Sequence, residues 1–281
     1  MAMTNWNIRG TDFSWGERTY VMGILNVTPD SFSDGGDFFE LDSSLRQAKQ
    51  FVQAGVDIID IGGQSSRPNA DEISPEEEMR RVVPVIEQIR DGNVHTPISI
   101  DTTRSQVAKA ALAAGADIIN DISGGLEDPQ ILAIAAQTQA PLILMHRRGN
   151  AKTMQQMTDY GDLIGEIQQY FEQQIQRGVD AGIKRDLIAI DPGIGFAKTG
   201  AQNIELLKRL QDFQALDCPI LVGTSRKSFI GQILDQPEPK RRVWGTAASC
   251  CAAIANGADI LRVHDVEEMI QVSRVADAVW R

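Results

Sequence analysis

The chain has 281 residues, 42% hydrophobic and 23% charged, an ordinary composition for a globular protein that buries a sizeable core. Its formal net charge of -11 excludes the broad positive field that binds nucleic acid, so an anionic substrate must meet local cations. Three cysteines do not make a disulfide framework, and no run of about 18 apolar residues indicates a membrane span. The first residues also lack the apolar core of a signal peptide. We therefore expect a cytoplasmic protein with no nucleic-acid or membrane partner.

Eight short apolar runs alternate with amphipathic stretches along the chain. The runs are rich in β-branched and aliphatic residues, which is typical of strands buried on both faces of a parallel sheet. In chain order they are Tyr20–Val27, Val56–Gly62, Pro97–Thr102, Ala116–Ser123, Pro141–His146, Leu187–Gly193, Pro219–Ser225 and Ala258–Val266. Helix signals lie between them, as where Ser74 forms an N-cap before Pro75 and three glutamates.

Eight strands with intervening helices predict an α/β fold, a single (β/α)8 TIM barrel formed by residues 1–281 as one domain. A doubly wound open sheet is the alternative, but its usual G-x-G-x-x-G motif does not follow the first run. A near-repeat recurs in this pattern. Gly55, Gly115 and Gly257 each end a helix just before "VDII", "ADII" or "ADIL", which indicates the same αβ turn used three times.

One stretch interrupts the alternation directly after the first strand. Ile24–Phe38 reads "ILNVTPDSFSDGGDF", and no regular pattern resumes until about Leu41. A structureless loop of this length inside a compact barrel is usually functional, and we interpret it as a lid with its Gly pair as a hinge.

Polar residues end nearly every apolar run. In a (β/α)8 barrel the active site lies at the carboxyl ends of the strands, so these residues form the candidate site. They are Asn26, Gly62, Gly63, Asp101, Asn120, Asp121, His146, Asp191, the segment 223–227, Arg262 and His264. Any single carboxylate or amide here could instead cap the next helix. Arg262 and His264 alternate along one strand and point the same way, which indicates an anion site.

The residue types in this set favour a flat heterocycle and an anionic group as ligands. Asp101, Asn120 and Asp191 can bracket a ring with amino and oxo edges, since a carboxylate accepts two N–H bonds from an aminopyrimidine. Arg226, Lys227 and Ser228 lie at a strand-to-helix junction, and Arg67 adds a cation on a Gly-bounded loop. Cations together with helix N-termini make a phosphate or diphosphate site plausible. Zinc spacing and acyl-transfer signatures are absent from the sequence. Mg²⁺ held partly by substrate phosphates is consistent with these oxygen ligands.

Eight motifs together identify a resemblance that extends from about Tyr20 to Val266. In order they are "GILNVTPDSFSDGG", "IDIGGQSSRPN", "ISIDT", "INDISGG", "MHRRGNAKTMQ", "DPGIGFAKT", "VGTSRKSFIG" and "RVHDV". This series resembles the dihydropteroate synthase family of folate biosynthesis. The resemblance implies that 6-hydroxymethyl-7,8-dihydropterin pyrophosphate reacts with 4-aminobenzoate to give 7,8-dihydropteroate and diphosphate. It further implies a Mg²⁺ cofactor and inhibition by sulfonamides, which mimic 4-aminobenzoate.

The resemblance also assigns roles to particular residues. For the pterin it implies Asp101, Asn120, Met145, Asp191, Lys227 and Arg262. For the diphosphate it implies Asn26, Arg262 and His264, with Asn26 as the protein ligand of Mg²⁺. For 4-aminobenzoate it implies Ser66, Arg67, Pro68, Phe196, Lys227 and Ser228. We expect Asp101, Lys227, Arg262 and the lid residue Asp34 to take part in catalysis, although Asp30 and Asp34 could equally cap turns of their own loop.

The sequence departs from the usual family pattern at four positions, with Gln64, Ser66, Asn69 and Ala197 where Glu, Thr, Gly and Gly are commoner. Two alternatives remain open: a pterin-binding methyltransferase on the same barrel and an inactive pterin-binding paralogue. The resemblance also implies a homodimer, for which the late helices "RRVWGTAASCCAAIANG" and "QVSRVADAVWR" are candidate interface segments.

Overall fold

The computed structural model describes residues 4–28, 36–65 and 70–281, with no side-chain description for 36–40. The strands in these ranges are β1 (Trp6–Ile8), β2 (Thr11–Phe13), β3 (Tyr20–Asn26), β4 (Ile58–Gly62), β5 (Ile98–Asp101), β6 (Ile118–Asp121), β7 (Leu142–Met145), β8 (Ile188–Asp191), β9 (Leu221–Val222) and β10 (Ile260–Val263). The helices are α1 (Gly36–Ala54), α2 (Pro75–Asp91), α3 (Ser105–Ala113), α4 (Gln130–Thr138), α5 (Leu163–Asp180), α6 (Gly200–Lys208), α7 (Ser228–Ile233), α8 (Val243–Ala255) and α9 (Val266–Trp280). Within these ranges no helix is both long and apolar enough to cross a membrane.

Strands β3 to β10 form a closed parallel barrel. Their order in the sheet is β8-β7-β6-β5-β4-β3-β10-β9, so each strand lies beside its neighbours in sequence. A parallel bridge between Ile190 and Ile220 joins the two ends of the sheet, and the Ile190 N–H donates to Pro219 O at 2.9 Å. Each of the eight apolar runs contains one of these strands. The prediction of a (β/α)8 barrel is therefore confirmed, and the open sheet is excluded.

Two elements differ from what the sequence pattern predicts. Helix α1 begins at Gly36, about five residues before Leu41, so the second glycine of the expected hinge is helical. The hairpin β1–β2 was not predicted at all. Its two-residue turn places Arg9 (φ 51°) and Gly10 (φ 81°) in the left-handed region, as a type I′ turn requires. Strands of three residues are too short for a recognisable alternation.

The hairpin closes the amino-terminal end of the barrel. Trp6, Phe13 and Trp15 are at most 9% exposed and belong to the same buried cluster as residues of the barrel interior. Those interior residues are Met22, Ile58, Ile118, Ile143, Ala189, Leu221 and Ile260. The lower barrel is thus a packed apolar core, as expected for this fold.

The near-repeat in the sequence has a common structural role at the amino-terminal face. In each copy the aspartate accepts the backbone N–H near the start of the preceding strand. The three bonds are Val21 N to Asp57 (2.8 Å), Ile98 N to Asp117 (2.9 Å) and Ile220 N to Asp259 (2.9 Å). These carboxylates satisfy strand ends on the face opposite the candidate site, so we interpret them as stabilising residues.

The alternation of side chains along each strand connects this apolar layer to the candidate site. Two residues beyond the interior residues of the lower layer, the same strands present a second layer at the carboxyl end of the barrel. That layer contains Ile24, Asp60, Asn120, Met145, Asp191, Gly223 and Arg262, to which β5 adds Asp101. The lower layer is apolar and the upper layer is largely polar, so the functional chemistry is concentrated at one mouth.

Candidate active site

Arg262 lies at the centre of the barrel mouth between two carboxylates. Its Nε donates to Asp60 Oδ2 at 2.6 Å and its Nη2 to Asp101 Oδ2 at 2.5 Å. The Asn120 amide nitrogen lies 3.4 Å from Asp60 Oδ2. Burial acts to lower the pKa of Arg262, but the two carboxylates outweigh it and raise the pKa above its usual value. The guanidinium therefore stays charged, and the structure brings together the predicted residues Asp101, Asn120 and Arg262.

Asp60 is a residue of this site that the sequence analysis missed. It is fully buried, and it lies in the middle of an apolar strand instead of at its end. The available signal was the alternation itself, because Asp60 is two residues before Gly62 and hence on the same face as the strand-end residues. A charge inside such a run requires a buried partner, and here that partner is Arg262.

The surroundings of Asp101 favour the protonated form of its carboxyl group. Burial raises its pKa to about 7; Arg262 opposes the shift, while Asp60 and Glu78 add to it. One guanidinium faces two buried carboxylates, so the charges are not balanced and a raised pKa is the physically expected direction. Asp101 also lines a cavity of about 300 Å³, together with Gln64 and Arg104.

Asp191 and Lys227 form the second charged pair of the mouth. Asp191 Oδ1 accepts the Gly193 N–H at 2.8 Å; burial raises the pKa of the carboxyl, while Gly193, Lys227 and Arg262 counteract this. Lys227 has a partly exposed side chain whose ammonium is desolvated by its surroundings, which lowers its pKa to about 8 despite the attraction of Asp191. A buried carboxylate near an ammonium can bind a polar ring edge with donors and acceptors.

Phe196 and Lys227 are in direct contact. The Lys227 Nζ lies 4.1 Å from the centroid of the Phe196 ring, a cation–π geometry. Gly195 lies against the same side chain, because a Cβ at that position would be 2.9 Å from Lys227 Cδ. Gly195 and Phe196 belong to the loop after β8, so this loop packs along one side of the Lys227 side chain.

The apolar part of the mouth contains Met145. It packs in a small cluster with Met154, Phe196 and Ala197, against which Ile122 lies. Ala197 has φ 51°, in the left-handed region where a side chain is unfavourable. This backbone conformation explains why glycine would be the commoner residue there.

The residues expected to bind the diphosphate lie on neighbouring strands. Asn26 is the last residue of β3, and Arg262 and His264 follow the same face of β10. The backbone N–H of His264 donates to Ser225 Oγ at 3.1 Å, and its Nδ1 lies 3.0 Å from the same oxygen. Ser225 thereby orients the imidazole. Among the described residues no group of three or more His, Cys, Asp and Glu side chains could hold a metal ion.

Several predicted residues cannot be placed. Asp30, Asp34, Ser66, Arg67, Pro68 and Asn69 lie outside the described residues, so their roles stay predictions. Two other residues that the resemblance singles out, Ser228 and Gln64, are among the described residues. Ser228 is exposed at the start of α7, and Gln64 Oε1 accepts from the Ile73 backbone nitrogen at 3.5 Å.

A closed barrel whose mouth offers acceptors for a polar ring and cations for an anion suits a pterin-binding enzyme. The family model described as pterin binding enzyme matches residues 22–264. The chain belongs to this family and, more narrowly, to the dihydropteroate synthases, as its similarity to individual members shows.

One such member is the dihydropteroate synthase of Synechocystis sp., which is 61% identical over 271 residues, covering 96% of this chain and 93% of that protein. A crystal structure of the dihydropteroate synthase of Clostridium difficile, in the presence of pteroic acid, matches with a TM-score of 0.91 and 44% identity, covering 96% of this chain and 99% of the other. The Yersinia pestis enzyme in a sulfonamide drug complex matches with a TM-score of 0.91 and 43% identity over 98% and 99% of the two chains.

Proposed function

We infer that this protein is a dihydropteroate synthase, a transferase of folate biosynthesis, and that residues 1–281 act as a single pterin-binding domain. It joins 6-hydroxymethyl-7,8-dihydropterin pyrophosphate to 4-aminobenzoate and releases diphosphate. The observation that carries this inference is the convergence of the implied pterin residues at one barrel mouth. These residues are Asp101, Asn120, Met145, Asp191, Lys227 and Arg262. A pterin-binding methyltransferase would need neither Lys227 nor the pair Arg262 and His264. An inactive paralogue would be expected to lose one of these residues, and all three are present.

The proposed reaction begins with loss of the leaving group. The bond between the pterin methylene carbon and the diphosphate oxygen breaks, and the electron pair departs with the diphosphate. Arg262 and His264 stabilise the developing negative charge. The positive charge left on the methylene is delocalised into the pterin ring and stabilised by ionised Asp101. The amine of 4-aminobenzoate then forms the C–N bond and loses its proton to solvent. Because an aromatic amine is neutral at pH 7, the step needs no strong general base.

We propose that Asn26 supplies the protein's oxygen ligand to Mg²⁺. A single carboxamide at the end of β3 fits this ion, which retains waters and is commonly held by few protein ligands together with substrate phosphates. When bound, Mg²⁺ neutralises charge on the diphosphate. The other roles fall to the chain itself: Asp101, Asn120 and Asp191 orient the ring, and Lys227 lies between the pterin and the 4-aminobenzoate sides.

A coupled assay for diphosphate release tests the function directly. We expect release that depends on both 4-aminobenzoate and Mg²⁺, with 7,8-dihydropteroate formed in equal amount. A sulfonamide should compete with 4-aminobenzoate and leave the KM of the pterin substrate unchanged. Absence of release with substrates that a reference dihydropteroate synthase consumes would contradict the assignment.

We further propose a homodimer formed through α8 and α9. The outer face of α8 presents Trp244, which is 79% exposed, followed at helical spacing by exposed Ala248, Ala252 and Ala255. Val275 of α9 is 67% exposed. An apolar helix face of this kind favours a protein contact over water. Sedimentation that shows only monomer at micromolar concentration would contradict this proposal.

We propose a cytoplasmic location because all three cysteines are free thiols.

The pKa of Asp101 predicts a pH dependence of the reaction. Because the ionised carboxylate is required and its pKa is about 7, kcat/KM for the pterin substrate should fall about tenfold per pH unit below pH 7. In Asp101→Asn the residual kcat/KM should be much lower and should show no inflection near pH 7.

The same raised pKa affects the stability of the free protein in a definite direction. Since the folded state binds the proton on Asp101 more tightly than the unfolded state, where the pKa is 3.8, the contribution of Asp101 to the free energy of unfolding falls as pH rises from about 4 to 7. Asp101→Asn should remove part of that slope. Unfolding by urea at several pH values measures it, and an unchanged slope would contradict the proposed titration of Asp101.

A further inference from the structure

Lys198 is a buried lysine for which neither the sequence motifs nor the proposed reaction provides a role. It lies seven residues after Asp191 in "DPGIGFAKT" and is only 3% exposed. In the described part of the chain no carboxylate forms a direct ion pair with it, although Asp191 attracts its charge from a longer distance. Burial lowers the pKa of Lys198 to about 7, and the attraction of Asp191 opposes this shift only in part. A polar group buried this deeply must be satisfied by hydrogen bonds, so its partners matter.

The ammonium of Lys198 connects two loops at the barrel mouth. Its Nζ donates to the backbone oxygen of Phe196 at 2.9 Å and lies 3.0 Å from His146 Nδ1. Burial and the nearby charges of Lys198 and Arg148 lower the pKa of His146 to about 2, so the ring is neutral and its Nδ1 can accept from an ammonium. Lys198 therefore joins the end of β7, where His146 follows Met145, to the loop after β8.

The position of that loop determines the surroundings of Lys227. The Phe196 ring lies 4.1 Å from Lys227 Nζ, and Gly195 approaches the Lys227 stem so closely that a Cβ would be 2.9 Å from Cδ. Any shift of residues 195–196 must therefore displace the Lys227 side chain or leave a gap beside it. The contact of Lys198 with Phe196 is a hydrogen bond to the backbone oxygen, so Lys198 acts on the position of the loop.

We propose that Lys198 is a positioning residue that fixes Phe196 and, through it, Lys227 for the binding of 4-aminobenzoate. This inference rests on the proposed function. The pterin has further partners in Asp101, Asn120 and Arg262, whereas Phe196 and Lys227 are two of the few described residues on the 4-aminobenzoate side. Loss of the connection should consequently affect the second substrate more than the first.

The chain offers a matched control in the same loop. The Tyr160 hydroxyl donates to Ala197 O at 3.1 Å, which is a second connection between the β7 and β8 loops, on the residue after Phe196. Tyr160→Phe removes this bond and leaves Lys198 and its two partners in place. A general loosening of the loop would make both variants behave alike, whereas a specific role of Lys198 predicts that they differ.

The test compares steady-state kinetics of Lys198→Met, Tyr160→Phe and the unmodified protein. Methionine keeps the shape of the side chain and removes the ammonium. In Lys198→Met we expect KM for 4-aminobenzoate to rise about tenfold or more and KM for the pterin substrate to change less than about threefold. In Tyr160→Phe both values should stay within about twofold. An unchanged 4-aminobenzoate KM in Lys198→Met, or an equal rise in Tyr160→Phe, overturns the proposal.

His146, which accepts from Lys198, provides a second test that remains valid if Lys198→Met fails to fold. His146→Asn keeps an acceptor oxygen near the position of Nδ1, whereas His146→Leu removes it. We expect 4-aminobenzoate KM near that of the unmodified protein in His146→Asn and raised several-fold in His146→Leu. Equal values in the two variants contradict the proposal. If the unmodified protein releases no diphosphate, the proposed function fails first, so the two failures are distinguishable.

Discussion

Lys227→Ala should lower diphosphate release by about 10³-fold and weaken the binding of both substrates, while the barrel stays folded. Lys227 is the residue that faces both sides of the mouth, since its ammonium interacts with Asp191 on β8 and lies against the Phe196 ring. Its removal takes away a cation that the pterin ring and the 4-aminobenzoate site would share. It also leaves Asp191 with one fewer neighbouring positive charge, which disfavours the ionised acceptor that the ring needs.

The stability of this variant should not fall with its activity. Desolvation lowers the pKa of Lys227 to about 8 from 10.5, so the folded state binds the proton less tightly than the unfolded state. Below pH 8 the charged lysine therefore destabilises the folded protein, and alanine removes this unfavourable contribution. The midpoint of thermal unfolding at pH 7 should be unchanged or higher, as is common for residues retained for function at the expense of stability.

Isothermal titration with a pterin analogue and with 4-aminobenzoate, together with the diphosphate assay, measures these effects. Lys208→Ala is the matched control, because Lys208 is an exposed lysine at the end of α6. That variant should behave like the unmodified protein in all three measurements. Normal turnover in Lys227→Ala would show that the ammonium does not act in the reaction, whereas loss of turnover with a lowered unfolding midpoint would indicate a structural role instead.

The fold was predictable from the sequence because parallel barrel strands are buried on both faces and leave a continuous apolar run. The strand ends were predictable too, since a polar residue that ends such a run must lie at one of the two barrel faces. Asp191 and Arg262 are the clearest instances, and the structure places both at the mouth. The hairpin β1–β2 was not predictable because its three-residue strands are too short to show an alternation of apolar and polar residues. Its turn also uses Arg9, where Asn or Asp is the stronger signal.

The contacts between side chains could not be predicted from the sequence pattern for a different reason. Asp60 and Arg262 are 202 positions apart, and the pairing of β3 with both β4 and β10 brings them together. Lys198 follows a left-handed residue, so its direction depends on the φ of Ala197 and not on any periodicity. Asp34 and Arg67 lie outside the described residues, and their roles rest on resemblance alone. Periodic patterns specify which face a residue occupies, whereas partner identity requires the closed fold.

Asp60→Ala should reduce kcat/KM by about 10²-fold and the free energy of unfolding by about 3 kcal/mol. Asp60 is fully buried, and its carboxylate holds the Nε side of the Arg262 guanidinium while Asp101 holds the Nη2 side. With Asp60 gone, one side of the guanidinium loses its partner and Asn120 loses an acceptor. The guanidinium is then free to rotate towards Asp101, so it no longer faces the diphosphate side in a fixed orientation.

The charge of Asp60 gives this prediction a signature that simple destabilisation does not share. Because Asp60 raises the pKa of Asp101, its removal should move the acidic limb of the pH profile below pH 7. Asp60→Asn keeps the size of the side chain and one acceptor oxygen, so it should retain most of the stability yet show the same shift of the limb. A double-mutant cycle with Arg262→Met should be strongly non-additive, since either change alone breaks the same contact. Full activity of Asp60→Asn, with the acidic limb of its pH profile unshifted, would contradict this prediction. Asp101 and packing alone would then hold Arg262, and Asp60 would stabilise the barrel without contributing to the reaction.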